Sequence, residues 1–130
     1  MSWELFQSKF QKKYDVMVIA HRGACTEAPE NTIRAFEQAV DGGAEMIEFD
    51  THKTIDNQVV VIHDRTTART SNMDIMIHTS TLEQVREASL EDGLQIPTLE
   101  EVFIQLKGKI YLQIEITAKE MAPEVLALID

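Results

Sequence analysis

Apolar residues recur along this chain with two different periods, and the alternation between them predicts the elements. Trp3, Phe6, Phe10 and Tyr14 fall three or four residues apart, which predicts a helix over about residues 1–15 with one face packed on the body of the domain. After Asp15 the spacing collapses into the continuous run Val16-Met17-Val18-Ile19-Ala20, the pattern of a short, fully buried parallel strand. Asn31 or Thr32 can cap a helix running to about Val40, with Ile33, Phe36, Ala39 and Val40 as its apolar stripe and Gly42-Gly43 as its stop. Met46 to His52 reads as a second strand, Asp56-Asn57 as a turn, and Val59 to Ile62 as a third extended run.

The polar stretch from Thr66 to Ser80 reads as an irregular surface loop. Two short helices then begin with the same device, a threonine followed three residues later by a side chain able to reach back: Thr81 with Gln84, and Thr98 with Glu101. Gly108 ends the second of these, Tyr111 to Ile116 is a further strand, and Pro123 to Ile129 is a last helix. This order is the rhythm of an α/β protein with parallel strands, either a doubly wound sheet or a (β/α) barrel, and periodicity does not choose between them.

Length and charge narrow the functions. A chain of 130 residues builds one domain round a single core. A formal charge of −10 disfavours a polyanion spread over a broad surface, so nucleic acid is not an expected partner. A small anionic substrate stays compatible wherever a metal or an arginine neutralises it locally. Cys25 is the only cysteine, which rules out an internal disulfide and fits an inert loop residue in a reducing compartment. No apolar run approaches the roughly 18 residues of a membrane span, and Val16 to Ala20 is too short for a signal-peptide core, so the expected location is cytoplasmic.

The chemistry falls at strand ends. Alternation places Glu48 and Asp50 on one face of the second strand and Ile47 and Phe49 on the other. Paired carboxylates on an apolar strand need a partner, either a cation or a salt bridge, and an all-oxygen set suits a hard ion such as Mg²⁺ or Ca²⁺. His21 and Arg22 directly follow the first apolar run, His63 follows Val59 to Ile62, and Glu115 lies between Ile114 and Ile116 facing away from both. Open α/β sheets and barrels bind ligands at the carboxyl ends of their strands, so this gathering points to a site. His52 and His78, by contrast, read as exposed, and the acidic pairs Glu91-Asp92 and Glu100-Glu101 as surface and helix N-terminal charge.

In order and spacing, His21-Arg22-Gly23, Pro29-Glu30-Asn31-Thr32, Glu48-Phe49-Asp50, Val61-Ile62-His63-Asp64, Arg69-Thr70, Ile96-Pro97-Thr98 and Gln113-Ile114-Glu115-Ile116 resemble the glycerophosphodiester phosphodiesterase family. The resemblance runs from about Val18 to Ile116. It implies a TIM (β/α) barrel of which this chain holds the N-terminal part: 1–15 as a helix and 16–130 as the first β/α units. It implies hydrolysis of glycerophosphodiesters to glycerol 3-phosphate and an alcohol, a step of lipid metabolism. By motif, Glu48, Asp50 and Glu115 would be the divalent-metal ligands, His21 and His63 the general acid and base, and Arg22 a phosphate contact.

Two departures shape the expectation. The family usually carries lysine where this chain has Thr117, and asparagine replaces the usual glycine at Asn57. A TIM barrel takes about 250 residues, so 130 residues supply roughly half of one. An uncovered sheet edge in such a unit predicts self-association. The competing reading is a catalytically silent relative that binds a metal or phosphorylated ligand in a regulatory role.

Overall fold

The computed structural model describes residues 15–130, and its sheet is organised round one eight-residue strand. In chain order the elements are β1 (Ile19–His21), α1 (Ile33–Asp41), β2 (Met46–Lys53), β3 (Val59–Val61), α2 (Leu82–Val85), α3 (Leu99–Leu106), β4 (Tyr111–Ile116) and α4 (Ala122–Ile129). Single 3₁₀ turns at Ile77–Thr79, Glu91–Gly93 and Lys119–Met121 complete the connections. The helix expected over residues 1–15 lies outside the described residues.

β2 pairs with each of the other three strands. β1 and β4 run parallel to it, with His21 opposite Glu48 and Asp50 opposite Glu115. β3 pairs antiparallel with its last three residues, Thr51 to Lys53. The turn expected at Asp56-Asn57 is thus what joins β2 to β3. Only five residues join β3 to β2, and Asn57 at φ 61° makes a tight reversal there; a parallel return needs a crossover of a dozen residues or more.

The helices begin where the capping pattern places them. The Thr32 hydroxyl accepts from the Ala35 amide, and both threonine–glutamine and threonine–glutamate boxes close, at Thr81/Gln84 and Thr98/Glu101. One face of the sheet and the helices then bury a common core of Phe36, Ile47, Phe49, Leu99, Val102, Leu106, Met121 and Val125. Each such side chain contributes about 1.5–3 kcal/mol on burial. Phe36 and Phe49 pack as a tilted pair with ring centroids 5.4 Å apart.

A second, smaller core gathers Val60, Ile62, Ile77, Val85, Leu90 and Ile96. β3 divides the two: Val59 and Val61 belong to the first, Val60 and Ile62 to the second. Its outer edge is covered by Pro97 and Thr98. Thr66 to Ser80 is irregular as expected but anchored, because Thr67 and Ile77 are fully buried.

The first apolar run differs from expectation. Only Ile19 to His21 form β1, and Ile19 is 44% exposed rather than buried. Ala20 packs against the core, while Ile19 and His21 face the open side of the sheet, where only one layer covers the strand. Among the described residues, the outer edges of β1 and β4 have no strand partner.

Candidate active site

A tight backbone turn sets the first part of the site. Immediately after β1, Arg22 adopts φ 60°, a conformation that strains a side-chain-bearing residue by about 1–3 kcal/mol. The turn is clamped by the Arg22 amide donating to the Glu48 carbonyl (2.7 Å) and the Asn31 amide donating to the Arg22 carbonyl (3.0 Å). Gly23 follows at φ 84°, so close to α1 that a Cβ would lie 2.8 Å from the Ala35 backbone. Glycine is required there, and it brings His21 and Arg22 against Glu48 and Asp50 in the middle of β2.

The three predicted carboxylates converge. Glu48, Asp50 and Glu115 each offer an oxygen within 4.8 Å of the others. Glu48 and Asp50 are buried, while Glu115 is open to the cleft above the sheet. Burial, and then the neighbouring Asp50, pushes the Glu48 carboxyl above its ordinary value. Its buried Oε2 lacks a hydrogen-bond partner, and His21 Nε2 stands 3.6 Å from it. Asp50 Oδ2 accepts from Asn31 Nδ2 (3.0 Å) and lies 3.3 Å from Arg22 Nε. An all-oxygen triad with an unsatisfied buried acceptor fits a hard divalent cation.

His63 stands at the end of β3, and its Nδ1 lies 2.6 Å from Asp64 Oδ1. Asp64 also takes hydrogen bonds from Arg69, which joins it to Glu30; Glu30 in turn accepts from Arg22 Nη1 at 3.3 Å. The Arg69 hydrogen bond, then that of His63, lowers Asp64 to about 2.

Sequence reasoning missed one member of this neighbourhood. His52, expected to be merely exposed, lies with Nε2 2.9 Å from the His63 carbonyl and Nδ1 3.3 Å from Thr117 Oγ1. Its place on the face of Glu48 and Asp50 was the available signal. Thr117 itself donates to the Thr51 carbonyl at 2.7 Å. A cleft of about 760 Å³ opens between His63, Glu115, His52, Thr117, Arg65 and His78, so His78 is exposed but borders the site.

Ionisable groups gather on one face of the sheet, and comparison with known proteins gives the family. The profile of the glycerophosphoryl diester phosphodiesterase family matches residues 21–129, and the chain belongs to that family. It is 44% identical over 103 residues to a glycerophosphodiester phosphodiesterase of Caldanaerobacter subterraneus, covering 74% of this chain and 42% of that protein.

The fold is similar to the crystal structure of a glycerophosphodiester phosphodiesterase from Thermotoga maritima, with a TM-score of 0.78 and 35% identity over 87% of this chain and 49% of that one. A phosphodiesterase from Oleispira antarctica, solved in complex with the product sn-glycerol-3-phosphate, matches with a TM-score of 0.77 at 27% identity, over 87% of this chain and 49% of the other. The expected partial TIM barrel is thus the fold observed, and the chain spans about half the length of these relatives. No helix of the described residues is long and apolar enough to cross a membrane.

Proposed function

We propose that this chain carries the reaction centre for metal-dependent hydrolysis of glycerophosphodiesters to glycerol 3-phosphate and an alcohol. The observation that carries the reading is the convergence of Glu48, Asp50 and Glu115 beside His21 and Arg22 at the strand ends. The triad would hold Mg²⁺ or Ca²⁺, which when bound polarises the phosphoryl group and offsets charge on its oxygens. Arg22 grips two non-bridging oxygens with its planar fork. His21 and His63 divide the proton work: one takes the proton of the attacking hydroxyl or water, and the other delivers a proton to the leaving alcohol oxygen. An imidazole suits either task because its ordinary pKa lies near neutrality.

Such a substrate fits a role in phospholipid metabolism, and the lone exposed Cys25 fits a cytoplasmic setting. Among the described residues, the edges of β1 and β4 without a strand partner and the exposed Ile19 and Tyr111 support association between copies of the chain. A monodisperse monomer in light scattering would refute that part.

One observation favours the silent-relative reading. The Thr117 hydroxyl is engaged by the Thr51 carbonyl, so no positive charge stands at that place. The two readings separate in one assay. Glycerophosphocholine is incubated with the chain and Mg²⁺ or Ca²⁺, and glycerol 3-phosphate release is followed beside Glu48→Ala. Product that needs the cation and vanishes in the variant supports the hydrolase; cation binding without product supports the silent relative.

A further inference from the structure

We propose that Arg69 is a positioning residue for this reaction, one that fixes the tautomer and plane of the His63 imidazole through Asp64, with Glu30 as its anchor. The inference rests on the proton-transfer role proposed for His63. Arg69 belongs to the loop beyond β3, and its guanidinium is held on two sides. Nε and Nη2 donate to Asp64 Oδ2 (2.9 Å) and Oδ1 (3.1 Å). Nη1 and Nη2 donate to Glu30 Oε2 (3.1 Å) and Oε1 (2.6 Å). A rigid planar fork bound along two edges sets the two carboxylates in one relation, which the flexible single ammonium of lysine cannot do.

The consequence falls on His63. Asp64 remains ionised because Arg69 and His63 hold it low, at about 2. An ionised carboxylate only accepts hydrogen bonds, so its 2.6 Å contact places a proton on His63 Nδ1. Nε2 is thereby left as the nitrogen that can take or give a proton in the cleft. Without Arg69, Asp64 could swing away from a ring that is itself exposed.

The loop is built to deliver this contact. Thr67, fully buried, donates its hydroxyl to the Met73 carbonyl (2.6 Å) and accepts from the Ile75 amide (3.0 Å). The Thr70 and Ser71 amides return to the Thr67 carbonyl at 3.3 and 3.0 Å, so the backbone bearing Arg69 is fixed. Folding gives a weak reason for the arrangement. The Arg69 side chain is 48% exposed, and ion pairs so open to water add little to stability.

The test is the tautomer of His63 in the full chain labelled with ¹⁵N-histidine, read from two-bond ¹H–¹⁵N spectra above the pH at which the ring titrates. The His63 signals are identified by their loss in His63→Gln. The expected wild-type ring carries its proton on Nδ1, and Asp64→Asn abolishes that preference. Arg69→Met is expected to shift the majority to the Nε2–H tautomer favoured by free histidine, in a chain that still melts cooperatively. Arg69→Lys is expected to restore the preference only in part. A wild-type tautomer in Arg69→Met, or full restoration by lysine, would overturn the proposal. The readout needs no turnover, so an inactive chain would sink the hydrolase reading while leaving the tautomer result intact.

Discussion

Asp50 and Glu115 stand directly opposite one another in the parallel register of β2 and β4, with Glu48 on the same face of β2. Two ionised carboxylates about 4 Å apart repel by roughly 4 kcal/mol at an effective dielectric of 20. A divalent cation turns that repulsion into binding. Mg²⁺ or Ca²⁺ at one hundred times its Kd is therefore expected to stabilise the fold by about 2.7 kcal/mol. In Glu48→Gln and Asp50→Asn the gain should largely vanish, while Glu115→Gln without cation should melt higher than the wild-type chain without cation. Calorimetry with chelator and with added cation checks both signs; equal melting temperatures throughout would exclude a metal centre here.

Gly23→Ala is expected to destabilise the chain by at least about 2 kcal/mol. The new Cβ meets backbone 2.8 Å away in α1, and φ of 84° adds the strain of a left-handed side-chain-bearing residue. Urea denaturation reads the loss as a lower midpoint. The same shift would displace Arg22 from Glu48, so cation-induced stabilisation should fall with it.

Asp64 gives a prediction in pH. Its folded-state pKa is depressed from 3.8 to about 2, so its contribution to stability is complete above 3.8 and is lost as pH falls through about 2. Glu30 is lowered as well, chiefly by Arg69, and acts in the same direction. Asp64→Asn is expected to lower stability at neutral pH yet flatten its decline across the acid window. Thermal melts at stepped pH measure the slope; an unaltered slope would mean that the pair with Arg69 does not form in solution.

The two cores should answer separately to substitution. Phe49→Ala empties the centre of the larger one and is expected to cost about 3–5 kcal/mol of global stability. Ile62→Ala strikes the smaller core, at about 2–5 kcal/mol. Its first effect should be faster amide exchange around Ile77 to Ile96, with β2 and β4 still protected. Uniform acceleration over the whole chain would show that the two clusters open as one.

Much of this was legible in the sequence because it depends on local rules. Threonine caps, the Gly42-Gly43 stop and the alternation of Glu48 and Asp50 with Ile47 and Phe49 each follow from neighbours a few residues apart. The shared face of Glu48 and Asp50 was legible as well, and the family resemblance added Glu115 to them as one set. What escaped was set by tertiary contact. The exposure of Ile19 depended on how many layers cover β1, and the place of His52 on the carbonyl it meets. The Arg69 clamp joins residues 39 positions apart, from Glu30 to Arg69, and no period or spacing encodes such a pairing.

The alternation of β3 makes it a party wall between two apolar cores. His21 and the carboxylates ride on the larger core, while His63, Asp64 and Arg69 leave the wall on the smaller core's side. The two histidines to which we assign the proton transfers thus stand on either side of a seam. Any event that loosens the smaller core alone, a bound ligand, a nick in its loops or a drifted core residue, would disarm the site without disturbing the carboxylate face. Activity would then be lost well before the fold, and a chain of this design could keep its grip on an ion long after it had ceased to turn over.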